Sequence, residues 1–111
     1  MKKIITAINN PNLNEKLKQE NNLEIICKDI QYKEAILEIL LENKNVDILI
    51  INNDLPGEIQ TEKLLNEIKV INNKIKIIFI LEKENKKIEE NLKKLNINNI
   101  YYNSEINIKK L

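Results

Sequence analysis

The chain has 111 residues and a mass of 13.1 kDa, with 42% hydrophobic residues, 32% charged residues and a formal net charge of +1. A domain of this size buries about 65% of its unfolded surface, enough for a core without staples, and the charge balance offers no footprint for nucleic acid or an anionic membrane. With no His, one Cys and one Gly, the sequence excludes a His proton shuttle, a Cys/His zinc site, an internal disulfide and a glycine-rich phosphate loop.

Apolar, β-branched runs of strand length alternate with segments of helical spacing. Ile4 to Ile8 is the first run, and Met1-Lys2-Lys3 ahead of it leads into too short an apolar stretch for a signal peptide. Asn10 before Pro11 reads as an N-cap with proline at N1, and Leu13 and Leu17 stripe the helix that follows. Leu23 to Cys27 is a second, weaker run. Ile36, Leu37, Leu40 and Leu41 stripe a second helix, for which Asn43-Lys44-Asn45 is a stop. Val46 to Ile51 is almost continuously apolar, as in a strand covered on both faces. Thr61 is expected to cap a third helix striped by Leu64, Leu65 and Ile68, and Asn72-Asn73 to end it through the left-handed conformation that Asn tolerates. Ile75 to Leu81 is the fourth run; Ile88, Leu92 and Leu95 stripe a fourth helix, whose Lys83 to Lys94 stretch reads as a solvated face; Ile100-Tyr101-Tyr102 is the last run.

Strands alternating with helices imply an α/β fold, a doubly wound five-stranded parallel sheet in the flavodoxin-like order 2-1-3-4-5. Ligands of such sheets bind beyond the carboxyl ends of the strands, which here are Asn9 and Asn10, Asn52 to Gly57, Glu82, and Asn103-Ser104. Ser104 to Leu111 is about two turns of a possible fifth helix, so residues 1–111 are expected to be a single domain, the N-terminal part of a longer protein with its last helix truncated. Lone Cys27 suits a reducing cytoplasm and reads as a small buried residue of the second strand.

The stretch Val46-Asp47-Ile48-Leu49-Ile50-Ile51-Asn52-Asn53-Asp54-Leu55-Pro56-Gly57 resembles the third strand and following loop of response-regulator receiver (CheY-like) domains. Glu34-Ala35-Ile36-Leu37 resembles the start of that family's second helix, and Asn99-Ile100-Tyr101-Tyr102-Asn103 its fifth strand. The resemblance implies a phosphoacceptor Asp after the third strand, an acid pair after the first that holds Mg²⁺, a hydroxyl after the fourth and a Lys after the fifth. Those positions fall on Asn52, on Asn9 and Asn10, near Leu81 and on Asn103. An amide is neither that nucleophile nor an anionic ligand, and Asp54, two residues beyond Asn52, is the nearest acid; its ordinary role is a turn carboxylate beside Pro56-Gly57.

The chain therefore looks like a pseudo-receiver, of the kind found at the N-terminus of CpaE/TadZ-type pilus-assembly ATPases, with no catalytic residue, metal or cofactor. Its expected role is protein interaction, dimerisation and localisation in the cytoplasm, with Ile100, Tyr101 and Tyr102 as interface candidates, and with no nucleic acid, membrane insertion or small-molecule substrate. The alternative is an active receiver of a two-component phosphorelay. An enzyme on this fold is disfavoured: there is no Ser/Thr-rich loop for FMN, no Cys after the first strand for phosphocysteine chemistry and no His for cobalamin. The 20 Asn and 23 Ile, with Lys as the basic residue throughout, look like coding bias; yet Asn9, Asn52 and Asn103 stand where a receiver needs Asp, Asp and Lys.

Overall fold

Isoleucine restricts its own χ1 and packs well on a pleated surface, so segments dominated by it become strands wherever both faces can be covered. The computed structural model describes residues 1–102 and 106–111. Among these, strands β1 (Lys2–Ala7), β2 (Leu23–Ile25), β3 (Ile48–Asn52), β4 (Lys76–Leu81) and β5 (Asn99–Tyr102) alternate with helices α1 (Pro11–Lys18), α2 (Lys33–Glu42), α3 (Thr61–Ile71) and α4 (Lys86–Lys94). The strands form one parallel sheet in the order β2-β1-β3-β4-β5. The expected doubly wound topology is the one observed.

The period of two along each strand divides the core. Ile5, Ala7, Leu49, Ile51, Ile77 and Phe79 point to one face, where they meet Ile36 and Leu40 of α2, Leu64, Leu65 and Ile68 of α3, and Leu92 of α4. Ile4, Ile48, Ile50, Ile78 and Ile80 point to the other, where Leu13 and Leu17 of α1 and the C-terminal Leu111 cover them. Residues 106–111 lie on this second face, with Ile106 and Ile108 against the same cluster as Tyr101. Their regular structure is the short 3₁₀ turn Ile108–Lys110, not the two α-helical turns expected there.

The signal at Asn10 holds outright, and the other element ends differ in detail. Asn10 caps α1 as expected, its side chain accepting from the Leu13 N–H with Pro11 in the first turn. The cap residue of α3 is Gln60, and Thr61 is already helical. Asn43 and Asn72 do end α2 and α3, but with φ of −134° and −148°, outside the left-handed region. Their side chains do the work: Asn43 Nδ2 donates to the Ile39 carbonyl at 2.9 Å, and Asn72 Nδ2 to the Val46 carbonyl at 2.8 Å. Finally, β2 stops at Ile25, so Cys27 lies past the strand and is half-buried against the core.

The left-handed helix end is at Asn96, with φ +66°. The Asn96 N–H donates to the Lys93 carbonyl and the Ile97 N–H to the Leu92 carbonyl, the two bonds of a Schellman cap. Leu92 and Ile97 are both buried, giving the apolar contact that accompanies such caps. Asn96→Gly is expected to leave stability unchanged or raise it, and Asn96→Ala to cost about 1 kcal/mol, because Cβ disfavours this backbone region and Ala lacks the Asn side chain's local compensation; chemical denaturation of the two variants checks this.

Candidate functional site

The strand order reverses between β1 and β3, and the loops leaving these two strands bound a crevice at the carboxyl edge of the sheet. A pocket of about 150 Å³ lies there, lined by Asn9, Gln31, Asn52, Asp54 and Pro56 over a floor of Ala7 and Ile8. Of the residues singled out from the sequence, Asn9, Asn52 and Asp54 meet in this pocket. Asn10 is turned to capping α1. Leu81 is the buried last residue of β4 and does not line the pocket. Asn103 lies outside the described residues. Ile100, Tyr101 and Tyr102 are half-buried on the edge strand β5, Ile100 against the α2–α4 side of the core and Tyr101 against the opposite side.

Asn52 uses both ends of its amide. Its Oδ1 accepts from the Asp54 N–H at 2.9 Å and so closes the turn after β3, while Nδ2 faces the Ile8 carbonyl at 3.5 Å. The turn role expected of the Asp54 carboxylate thus belongs to the Asn52 carbonyl. Asn9 has φ +47°, a left-handed residue at the bend between β1 and α1. No three residues among His, Cys, Asp and Glu come together as a metal-binding group among the described residues.

The sequence reading missed the acid that organises this corner. Asp29, in the loop between β2 and α2, takes the Ile8 N–H on Oδ1 at 3.0 Å and the Asn9 N–H on Oδ2 at 2.9 Å. Thr6, the buried polar residue of β1 and fully shielded from solvent, lies 2.7 Å from Asp29 Oδ1 and 3.1 Å from the Asn14 carboxamide. A hydroxyl has one proton, so both contacts are met when Thr6 donates to Asp29 and Asn14 of α1 turns its NH₂ toward Thr6. The network binds β1, α1 and the 26–31 loop together. Burial raises the Cys27 thiol above its ordinary pKa, and the charge of Asp29 adds to this. The signal that could have found Asp29 is rarity: the chain has three Asp and 20 Asn, and this Asp stands in the short loop ahead of α2.

A second acid fixes the other wall. Glu34, in the first turn of α2, accepts from the Glu58 N–H at 2.9 Å and the Ile59 N–H at 2.8 Å, both in the loop after β3. The Ile59 N–H, Glu34's own N–H and that of Glu58 hold its carboxyl below the usual glutamate range, against a smaller opposing effect of burial, and nearby Lys33 adds to the lowering. The Lys33 N–H donates to the Pro56 carbonyl at 2.8 Å, so the loop caps the helix that Tyr32 leaves without a side-chain cap. Gly57 sits where loop and helix touch, with φ +147°. A Cβ there would stand 2.7 Å from Glu34 Oε1 and 2.9 Å from Lys33 Cβ.

No protein-family model matches the chain, and a search of curated proteins found no similar sequence. Solved structures do match its fold. The chain superimposes on RcsB from Salmonella enterica serovar Typhimurium with a TM-score of 0.79 at 18% identity, covering 99% of this chain and 93% of that one. A LuxR-family DNA-binding response regulator from Staphylococcus aureus gives 0.75 at 19%, covering 99% and 92%. The CheY-like receiver domain protein of Methanospirillum hungatei JF-1 gives 0.68 at 14%, covering 99% and 86%. The chain has the receiver-domain fold of response regulators.

Gly57→Ala is expected to destabilise the domain by about 1–3 kcal/mol, the range for a strained backbone position, measured by urea denaturation. A carboxylate whose pKa is lowered on folding contributes stability at pH values above the ordinary glutamate range, and that contribution is lost as pH falls through the lowered value. The stability difference between the parent and Glu34→Gln should accordingly be constant near neutrality and shrink on acidification, followed by thermal melts across pH.

Proposed function

We propose that this domain is a pseudo-receiver: it keeps the receiver fold but does not take a phosphoryl group, and it acts as an interaction and dimerisation module of a larger regulatory or pilus-assembly ATPase protein in the cytoplasm. The observation that carries this reading is the residue at the end of β3. Asn52 stands beside the pocket, where the resemblance calls for the phosphoacceptor, and its carbonyl oxygen is committed to the turn. The lone pair of a carboxamide nitrogen is delocalised into its carbonyl, so it does not attack phosphorus as a carboxylate oxygen does.

Charge supports the same reading. Mg²⁺ takes hard, anionic oxygen ligands, usually from one or two carboxylates. In the pocket, Asn9 and Asn52 offer neutral oxygens, and Asp29 behind it already accepts from Ile8, Asn9 and Thr6. Asp54 lines the pocket but sits in the loop, two residues beyond the strand end. With catalysis and cofactors set aside, surfaces remain: the half-buried Tyr101 and Tyr102 on the β5 edge suit a protein partner or a second copy.

RcsB of Salmonella has been solved with the phosphomimetic BeF₃⁻, and the same probe tests this chain. Titration with beryllofluoride and Mg²⁺ is expected to give no saturable shifts in amide NMR spectra, and acetyl phosphate to add no mass. Asn52→Asp alone is expected to behave the same way, because neither the acid pair nor the Lys returns with it. A saturable, Mg²⁺-dependent response of the parent chain would favour the active receiver instead.

A further inference from the structure

The pocket has two walls, the end of β1 with the bend after it and the loop after β3. Their direct hydrogen bond, Asn52 Nδ2 to the Ile8 carbonyl, is 3.5 Å long, at the weak limit for such a bond. The better bonds all run through a third piece of chain, the six residues from Asp29 to Glu34. At one end, Asp29 holds the Ile8 and Asn9 N–H groups at 3.0 and 2.9 Å. At the other, Glu34 holds those of Glu58 and Ile59 at 2.9 and 2.8 Å. Beside it, the Lys33 N–H meets the Pro56 carbonyl at 2.8 Å and Lys33 Nζ the Ile59 carbonyl at 3.3 Å. In the middle, Gln31 lines the pocket and donates to the Asp29 carbonyl at 3.1 Å.

We propose that the Asp29–Glu34 segment is a strap that holds both walls of the pocket and opens as one unit. The reason for unity is Ile30. Its N–H donates to the Thr6 carbonyl at 2.8 Å, and its side chain is 5% exposed, in the same core cluster as Ala7 and Leu55 of the two walls. Lifting either end of so short a segment strains this anchor. Once Ile30 leaves the core, its apolar surface meets water whether or not the far clamp still holds, so a half-open strap loses burial without gaining the freedom of the open state. The two carboxylates clamp charged-to-amide bonds, which are stronger than neutral ones, and this keeps the closed state dominant. The strap is independent of the pseudo-receiver reading: it concerns how the pocket is held, whatever the pocket does.

Native-state hydrogen exchange, read by NMR on the full chain, tests it. Glu34→Ala removes one clamp at a half-buried site. Exchange is expected to quicken by about tenfold or more at Glu58 and Ile59, the loss expected for charged hydrogen bonds, and by a similar factor at Ile8, Asn9 and Ile30, in each case beyond any change at Phe79 in the centre of β4. Quickening confined to Glu58 and Ile59 would overturn the strap, since the two clamps would then be separate bonds. Asp29→Ala gives the reciprocal reading at Glu58 and Ile59, scored after subtracting any change at Phe79, which reports opening of the whole domain. A residual effect at those two amides supports the strap, and none overturns it.

Discussion

The apolar stretches of β1, β3 and β4 have no face open to water. Ile4 and Ile5, Leu49 and Ile50, Ile78 and Phe79 are all at most 1% exposed, although neighbours in sequence point to opposite sides of the sheet. A parallel sheet buried in this way needs helices on both faces and right-handed crossovers to carry the chain back. The helices therefore begin at one edge of the sheet, and every loop leaving a carboxyl end gathers there. With apolar residues filling the interior, polar groups are left to the two ends of the strands, and the requirement that buried backbone groups be paired there falls on a few side chains.

Those side chains are mostly amides, and an amide satisfies backbone in a way an acid or a lysine does not. It carries a donor and an acceptor together. Asn10 and Asn85 accept from helix N-termini, Asn43 donates to a carbonyl in the last turn of α2 and Asn72 to the Val46 carbonyl ahead of β3, and Asn52 closes its own turn. Each of these positions has unpaired backbone that a carboxamide suits. At the pocket the result is an edge without concentrated charge. The two acids that do act there, Asp29 and Glu34, spend their oxygens on backbone N–H groups and so hold the loops of this edge together.

Much of this was legible beforehand, for a plain reason. Strand and helix periods depend on local spacing, so the Ile-rich runs, the stripes of Leu13 and Leu17 or Leu64 and Ile68, and the Asn10-Pro11 cap could be read directly, and the parallel sheet followed from alternation. Errors came where a distant partner decides. Asn72 ends α3 by reaching the Val46 carbonyl 26 residues away, so its backbone has no need of the left-handed region. Asp29 looks like one more loop acid until the fold brings it to Ile8 and Asn9, and Glu34, counted only as a helix-starting residue, turns out to bind a loop 24 residues further on.

The sequence by itself determined the architecture and the residue types at the strand ends, because hydrophobic period and β-branching act within a few residues of one another. It also determined that the β3 end carries an amide. Which side chains pair across the carboxyl edge was decided only in the tertiary structure. A hydrogen bond depends on distance and angle between groups that the chain brings together from far apart, and spacing along the sequence carries neither.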